Sequence, residues 1–151
     1  YISFNNISGT VFTKLNYING IPDILYSYYN NGKKKYEGKL HLVNNQNKYH
    51  GIGKLYYDND NNSLKYEGNY DKGLYENTGT SYHQNGHKSY EGQYNKGKYN
   101  GNGISFYETT GTIEYDGQWF ADEKHGEGAI WDESGIMVFQ GTFQYGDMQF
   151  N

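Results

Sequence analysis

The chain contains no cysteine and no arginine, and its one proline is Pro22. Without cysteine there is no disulfide framework and no thiolate zinc site. Thirteen lysines set against seventeen carboxylates give a net charge of −4. With no guanidinium forks, that balance excludes a nucleic-acid groove, which needs a basic stripe. No apolar run approaches the roughly 18 residues of a membrane-spanning helix, and the first residues carry no signal-peptide pattern, so a cytoplasmic protein is the expectation. Aliphatic side chains are also scarce: hydrophobic residues make up 34% of the chain, and aromatic residues alone are 19%. A thick aliphatic core is therefore not expected, and what is abundant instead is glycine (21) and tyrosine (19).

Those two residue types recur on a ruler. The stretch 90–117 opens on Tyr90-Glu91-Gly92, passes through Gly101-Asn102-Gly103 and closes on Tyr115-Asp116-Gly117. Tyr90, Gly92 and Tyr94 alternate with Glu91 and Gln93, the patterning of a strand with two unlike faces. Equivalent triads begin at Tyr36, Tyr66 and Phe139, completed by Gly38, Gly68 and Gly141. A turn glycine or asparagine stands four residues before each: Gly32, Asn62, Gly86, Gly111 and Gly135. Asn is the usual substitute for Gly where φ is positive. Spacings of 24 or 25 residues are broken once, by the interval of 30 that begins at Tyr36. Its excess lies in asparagine-rich stretches at 44–47 and 58–62, read as loop insertions.

A repeat of this length, each unit packing only on its neighbours, stabilises a fold without a thick core. The predicted fold class is all-β: an elongated, single-layer antiparallel meander of successive hairpins. The units are 36–65, 66–89, 90–114 and 115–138, preceded by a half repeat at 1–12 and a degenerate repeat at 13–35, and followed by a half repeat at 139–151. The two half repeats are read as the ends of an excerpt from a longer protein.

The pattern Tyr-x-Gly-x-Tyr/Trp-x-x-Gly, then Gly-x-Gly, then a turn glycine, resembles the MORN-repeat family over nearly the whole chain. Tyr90, Gly92, Tyr94, Gly97, Gly101 and Gly103 match throughout. The unit at Tyr115 matches through Gly117, Trp119, Gly126 and Gly128, with Asp122 in place of the loop glycine. Asn77 replaces the first Gly of Gly-x-Gly in the unit at Tyr66. The resemblance implies one long twisted sheet in which rings of neighbouring repeats stack over the glycines. Recurrent glycine between aromatics independently suggests a ring lying over bare backbone. Glu37, Glu67, Glu91, Asp116 and Gln140 are then expected on the opposite, wet face.

No catalytic, cofactor or metal site is predicted. His50 and His125 occupy one repeat position, directly before a Gly-x-Gly glycine, and His83 and His87 flank a predicted turn instead of sharing a helical face. His41 is isolated. Asp58, Asp60 and Asn62 imitate the start of a calcium loop, but Ser63 and Asn69 stand where the loop needs Gly and Glu. The Gly-x-Gly pairs recur once per unit, which marks them as architecture.

Three functional classes follow. The favoured one is a non-catalytic scaffold or protein-interaction module that can self-associate, a reading the MORN resemblance also implies, with cytoskeletal or cortical settings. Tyr70, Tyr94, Trp119 and Phe143 share one repeat position, so they form a stripe that is either core or a partner-contact surface, beside an open C-terminal edge. The second class, implied by the resemblance, is an accessory region of a SET-domain lysine methyltransferase or a lipid kinase. The third is phospholipid binding, poorly served by a lone Lys33-Lys34-Lys35 cluster.

Overall fold

The structure, a computed structural model, describes residues 2–4, 13–18, 21–43 and 46–150, with side chains from 24 to 41 and from 48 to 150. Most of the half repeat at 1–12, and residues 19 and 20 of the degenerate repeat, lie outside these residues. Among the described residues there is no helix. The strands are β1 (Ile2–Phe4), β2 (Thr13–Ile18), β3 (Ile21–Tyr28), β4 (Lys34–Val43), β5 (Gln46–Tyr56), β6 (Leu64–Asp71) and β7 (Leu74–Tyr82). They continue as β8 (Lys88–Asn95), β9 (Lys98–Phe106), β10 (Ile113–Phe120), β11 (Glu123–Trp131), β12 (Met137–Gln144) and β13 (Asp147–Met148). All thirteen form one sheet in sequence order, every pair antiparallel. At about 4.8 Å per step, twelve pairings give roughly 55–60 Å along the sheet.

A row of glycines fixes the register. Gly38, Gly53, Gly68, Gly79, Gly92, Gly103, Gly117, Gly128 and Gly141 are cross-strand partners in succession from β4 to β12. The tyrosine that opens each triad folds its ring along its own strand, over its own glycine and the glycine opposite. A methyl on Gly92 would lie 2.5 Å from the Gly103 Cα and 2.7 Å from the Tyr90 hydroxyl, and one on Gly103 would fall within the Tyr90 ring. The hydroxyl passes the glycine and donates to the carbonyl three residues on: Tyr36 to Lys39 (3.1 Å), Tyr66 to Asn69 (2.9 Å), Tyr90 to Gln93 (2.9 Å) and Tyr115 to Gln118 (2.8 Å). The ring over each glycine pair thus comes from the same hairpin, and not from a neighbouring repeat as the sequence suggested. Two residues of reach within one strand suffice when neither glycine has a side chain to block it.

Neighbouring repeats meet through two further columns of rings. Tyr49, Tyr75 and Tyr99 stack flat on Tyr36, Tyr66 and Tyr90, with centroids 3.6–3.7 Å apart. Tyr70, Tyr94 and Trp119 then drive an edge into the stacked pair of the preceding repeat, as in Tyr36–Tyr70 at 5.6 Å and Tyr90–Trp119 at 5.5 Å. Each aromatic pair adds about 0.5–1.5 kcal/mol beyond its buried area. In the next hairpin Lys124 holds the stacking position and sets its ammonium 5.4 Å from the Tyr115 ring centre. The core of this sheet is therefore its own aromatic layer.

At the hairpin tips, two-residue turns place both residues at positive φ: Lys72-Gly73, Lys96-Gly97, Ala121-Asp122 and Tyr145-Gly146. This is the turn whose twist matches the strands. The amide of each second residue donates to the preceding repeat, at the carbonyls of Tyr49, Tyr75, Tyr99 and Lys124 (2.8–3.0 Å). At the opposite end, Tyr29, Tyr57 and Tyr107 donate from their hydroxyls to the carbonyls of Tyr56, Tyr82 and Trp131 in the following repeat. Asn77 keeps the backbone its repeat position demands, with φ 55° beside 82° at Gly101. The insertion at 44–47 is different from expectation. Leu42↔Asn47 and Val43↔Gln46 are paired, so the added residues at 46 and 47 lengthen the hairpin instead of looping out; residues 44 and 45 lie outside the described residues.

Candidate functional site

With one face roofed by rings, the other is open to solvent, and Glu37, Glu67, Glu91, Asp116 and Gln140 stand on it in one cross-strand row. A groove of about 570 Å³ runs along this face over β5 to β8. Its floor is the backbone of Gly53, Gly68, Gly79 and Gly92. One wall is Lys54, Glu67, Thr80 and Glu91, and the other is Ile52, Asn69, Thr78 and Gln93. The walls arise from strand alternation, because the residues on either side of each glycine point away from the ring layer.

Asn69 and Gln93 of the second wall also cap the bulges in β7 and β9, as Gln118 at the same repeat position caps the one in β11. Gln93 Oε1 accepts the Asn102 amide at 2.7 Å and Gln118 Oε1 accepts the Glu127 amide at 3.2 Å, while Asn69 donates to the Thr78 carbonyl at 3.1 Å. The first wall carries the charge. Lys54 meets Glu67 at 3.2 Å and Lys88 meets Glu91 at 2.6 Å, both pairs being well exposed. The Tyr82 hydroxyl, 2.7 Å from Glu67 and aided by Lys54, holds that carboxyl below its usual range, so it is ionised at neutral pH. The groove presents carboxylates, amides and hydroxyls over a backbone floor.

The four residues of the predicted contact stripe lie elsewhere. Tyr70, Tyr94, Trp119 and Phe143 are 1–7% exposed within the ring layer, and Trp119 donates its indole N–H to the Gly103 carbonyl at 2.9 Å. None offers a face to a partner. The repeat-defining Tyr36, Tyr66, Tyr90 and Tyr115 are fully buried beside them. Sequence reasoning treated the row of carboxylates as a solvated face, set Gln93 opposite the tyrosines and weighed Asn69 against a calcium loop without giving either a role, and passed over Thr78 and Thr80. The available signal was their repeat position, one residue beyond the triad glycine or flanking the second glycine of Gly-x-Gly.

The remaining polar clusters are tied into the frame. Asn31 donates to Asp58 (2.6 Å), Asn62 exchanges hydrogen bonds with both backbone groups of Lys34, and Lys33 lies 3.6 Å from Asp60. A lysine thus occupies the loop that imitates a calcium site. Lys34 pairs with Glu37 and Lys35 lies over the Tyr29 ring, which engages the rest of the basic cluster. His83 and His87 contact the next repeat at the Phe106 and Glu108 carbonyls. His41 and His50 approach each other at 5.1 Å, and His125 sits between the Phe120 and Tyr145 rings. Among the described residues no three of His, Cys, Asp and Glu converge as metal ligands. No protein-family model matches the chain, and no curated protein matches it.

Proposed function

We propose that this chain is a non-catalytic protein-interaction scaffold of the MORN-repeat kind, which holds a partner's extended segment on its open face. The groove over β5 to β8 carries the reading: it is long, shallow, floored by backbone and walled mostly by polar and charged side chains. Such a surface suits a chain laid across it, while the interlocked rings beneath keep it from yielding. Panning a random peptide library against the protein tests this. Enriched peptides should bind the wild type and lose binding to Thr80→Arg, whose side chain fills the groove without touching the ring layer. A library that yields no binder, or binders indifferent to Thr80→Arg, would sink the reading.

Self-association has an observation of its own. Ile136, Met137, Val138, Met148 and Phe150 are all exposed on and around β12. Exposed apolar side chains gathered in this way are a surface for contact between copies. Sedimentation velocity across a concentration series should show a dimer that Val138→Lys abolishes; a monomer at every concentration would rule it out.

A further inference from the structure

The row of carboxylates on the open face alternates in kind as well as in register. β6, β8 and β10 contribute Glu67, Glu91 and Asp116, β7, β9 and β11 contribute the uncharged Thr80, Ile104 and Ala129, and β5 contributes the cationic Lys54. Carboxylates therefore recur at every second strand, about 9.6 Å apart given a strand spacing near 4.8 Å. Lys54 and Lys88 each neutralise one of them through an exposed pair. Pairs of that kind contribute roughly 0–1 kcal/mol, so the lysines yield readily to another cation. No ion pair reaches Asp116 among the described residues.

A guest lying along this row must present cations at the same interval. A β-strand returns to one side every second residue, at about 6.7 Å, and an α-helix every turn, at about 5.4 Å. A polyproline II helix has three residues per turn and rises about 3.1 Å per residue, so every third side chain recurs on one side at about 9.3 Å. Only the last matches two strand spacings. The small or apolar Thr80, Ile104 and Ala129 leave room for the proline rings or short side chains between contacts.

We propose that this row seats a polyproline II segment bearing Lys or Arg at every third residue, its cations on Glu67, Glu91 and Asp116. The proposal rests on the groove as a seat for a partner segment and names that segment's chemistry. Fluorescein-labelled peptide of five Lys-Pro-Pro repeats, titrated by anisotropy at low and physiological salt, tests it. The comparisons are a peptide of the same composition with its lysines consecutive and a periodic peptide with Gln for Lys. The periodic basic peptide should bind at least about tenfold more tightly than the block peptide, because only it engages all three carboxylates at once. The Gln peptide should not bind, and Glu91→Gln with Asp116→Asn should bring the periodic peptide to the level of the block peptide at an unchanged melting temperature. Equal binding of periodic and block peptides would overturn the spacing, and binding indifferent to the double variant would overturn the row. If Lys-Pro-Pro fails while library peptides still bind in a Thr80-dependent way, this inference falls and the groove stands; if neither binds, both fall.

Discussion

Tyr90 shows why the first position of each triad is tyrosine. Its ring roofs Gly92 and Gly103, takes Tyr99 flat against its outer face, and returns a hydroxyl to the Gln93 carbonyl. Gly92→Val should lower the urea midpoint well below that of Gln93→Val, since valine at 92 meets both the opposite backbone and the ring. Overpacking of this kind costs about 1–3 kcal/mol or more, and equal midpoints would contradict the steric account. One hydroxyl in the next column is badly placed. Tyr94 donates to Ser81 Oγ at 3.0 Å, whereas Tyr70 finds Leu55 at the corresponding repeat position and is buried without a partner. Tyr70→Phe should therefore leave stability unchanged or raise it slightly, while Tyr94→Phe should cost on the order of 1 kcal/mol. Urea melts of the two variants would reveal it, and equal losses would show that the Tyr70 hydroxyl has an unseen partner.

At the level of the hairpin, glycine marked most of the turns, and the repeat period located those where Asn62 or Asp122 stands in its place. Ala121-Asp122 adopts the same two-residue turn as Lys96-Gly97, with φ 53° and 77°. Asp122 compensates by accepting the Tyr99 amide at 2.8 Å, but Ala121 has no such return. Ala121→Asn should raise the melting temperature through a gain of roughly 0.5–1 kcal/mol, because Asn tolerates left-handed backbone; a fall would show that the turn is held by its neighbours and not by local preference. The triads, their period and the strand alternation were readable because each is local. The stacked column of Tyr49, Tyr75 and Tyr99 was not, since its partners lie across a bulge that shifts the register between Gly92 and Tyr94. The groove was hidden for a related reason. Its walls are ordinary polar residues, and only the sheet brings four strands of them side by side. The buried stripe shows the limit of the same reasoning: one repeat position predicted a shared row, but whether rings or solvent covered it depended also on rings of the preceding repeat, such as Tyr49 over Tyr70 and Tyr75 over Tyr94.

At the scale of the whole sheet, rings in contact run without a break from Tyr36 through Tyr70, Tyr66, Tyr94, Tyr99, Trp119 and Tyr115 to Phe143, Phe139 and Phe150. Stability in such an array is a sum of units and interfaces. Trp119→Ala removes one interface, at a cost of about 3–5 kcal/mol, and hydrogen exchange should then show β10 to β12 opening separately from β6 to β9. Uniform opening would indicate coupling through the backbone ladder alone. Burial also pushes the phenols up, Tyr75 and Tyr115 to about 12 and Tyr36, Tyr66, Tyr70, Tyr90 and Tyr94 further. Unfolded tyrosine ionises near pH 10. The folded state thus binds protons that the unfolded state has released, so stability is complete below about pH 10 and is lost as pH rises toward 12 and beyond. Phenolate absorbance should rise in two phases, exposed tyrosines first and the ring layer together with unfolding; a single non-cooperative titration would contradict this. The unbroken ladder has an optical consequence as well. Trp119 lies edge-on to Tyr90, Tyr99 and Tyr115 at 5.0–5.5 Å, far inside the range of resonance transfer from tyrosine to tryptophan. Light absorbed by the tyrosines is handed from ring to ring and leaves as indole emission, so the colour of the protein's fluorescence reports whether its repeats are still joined.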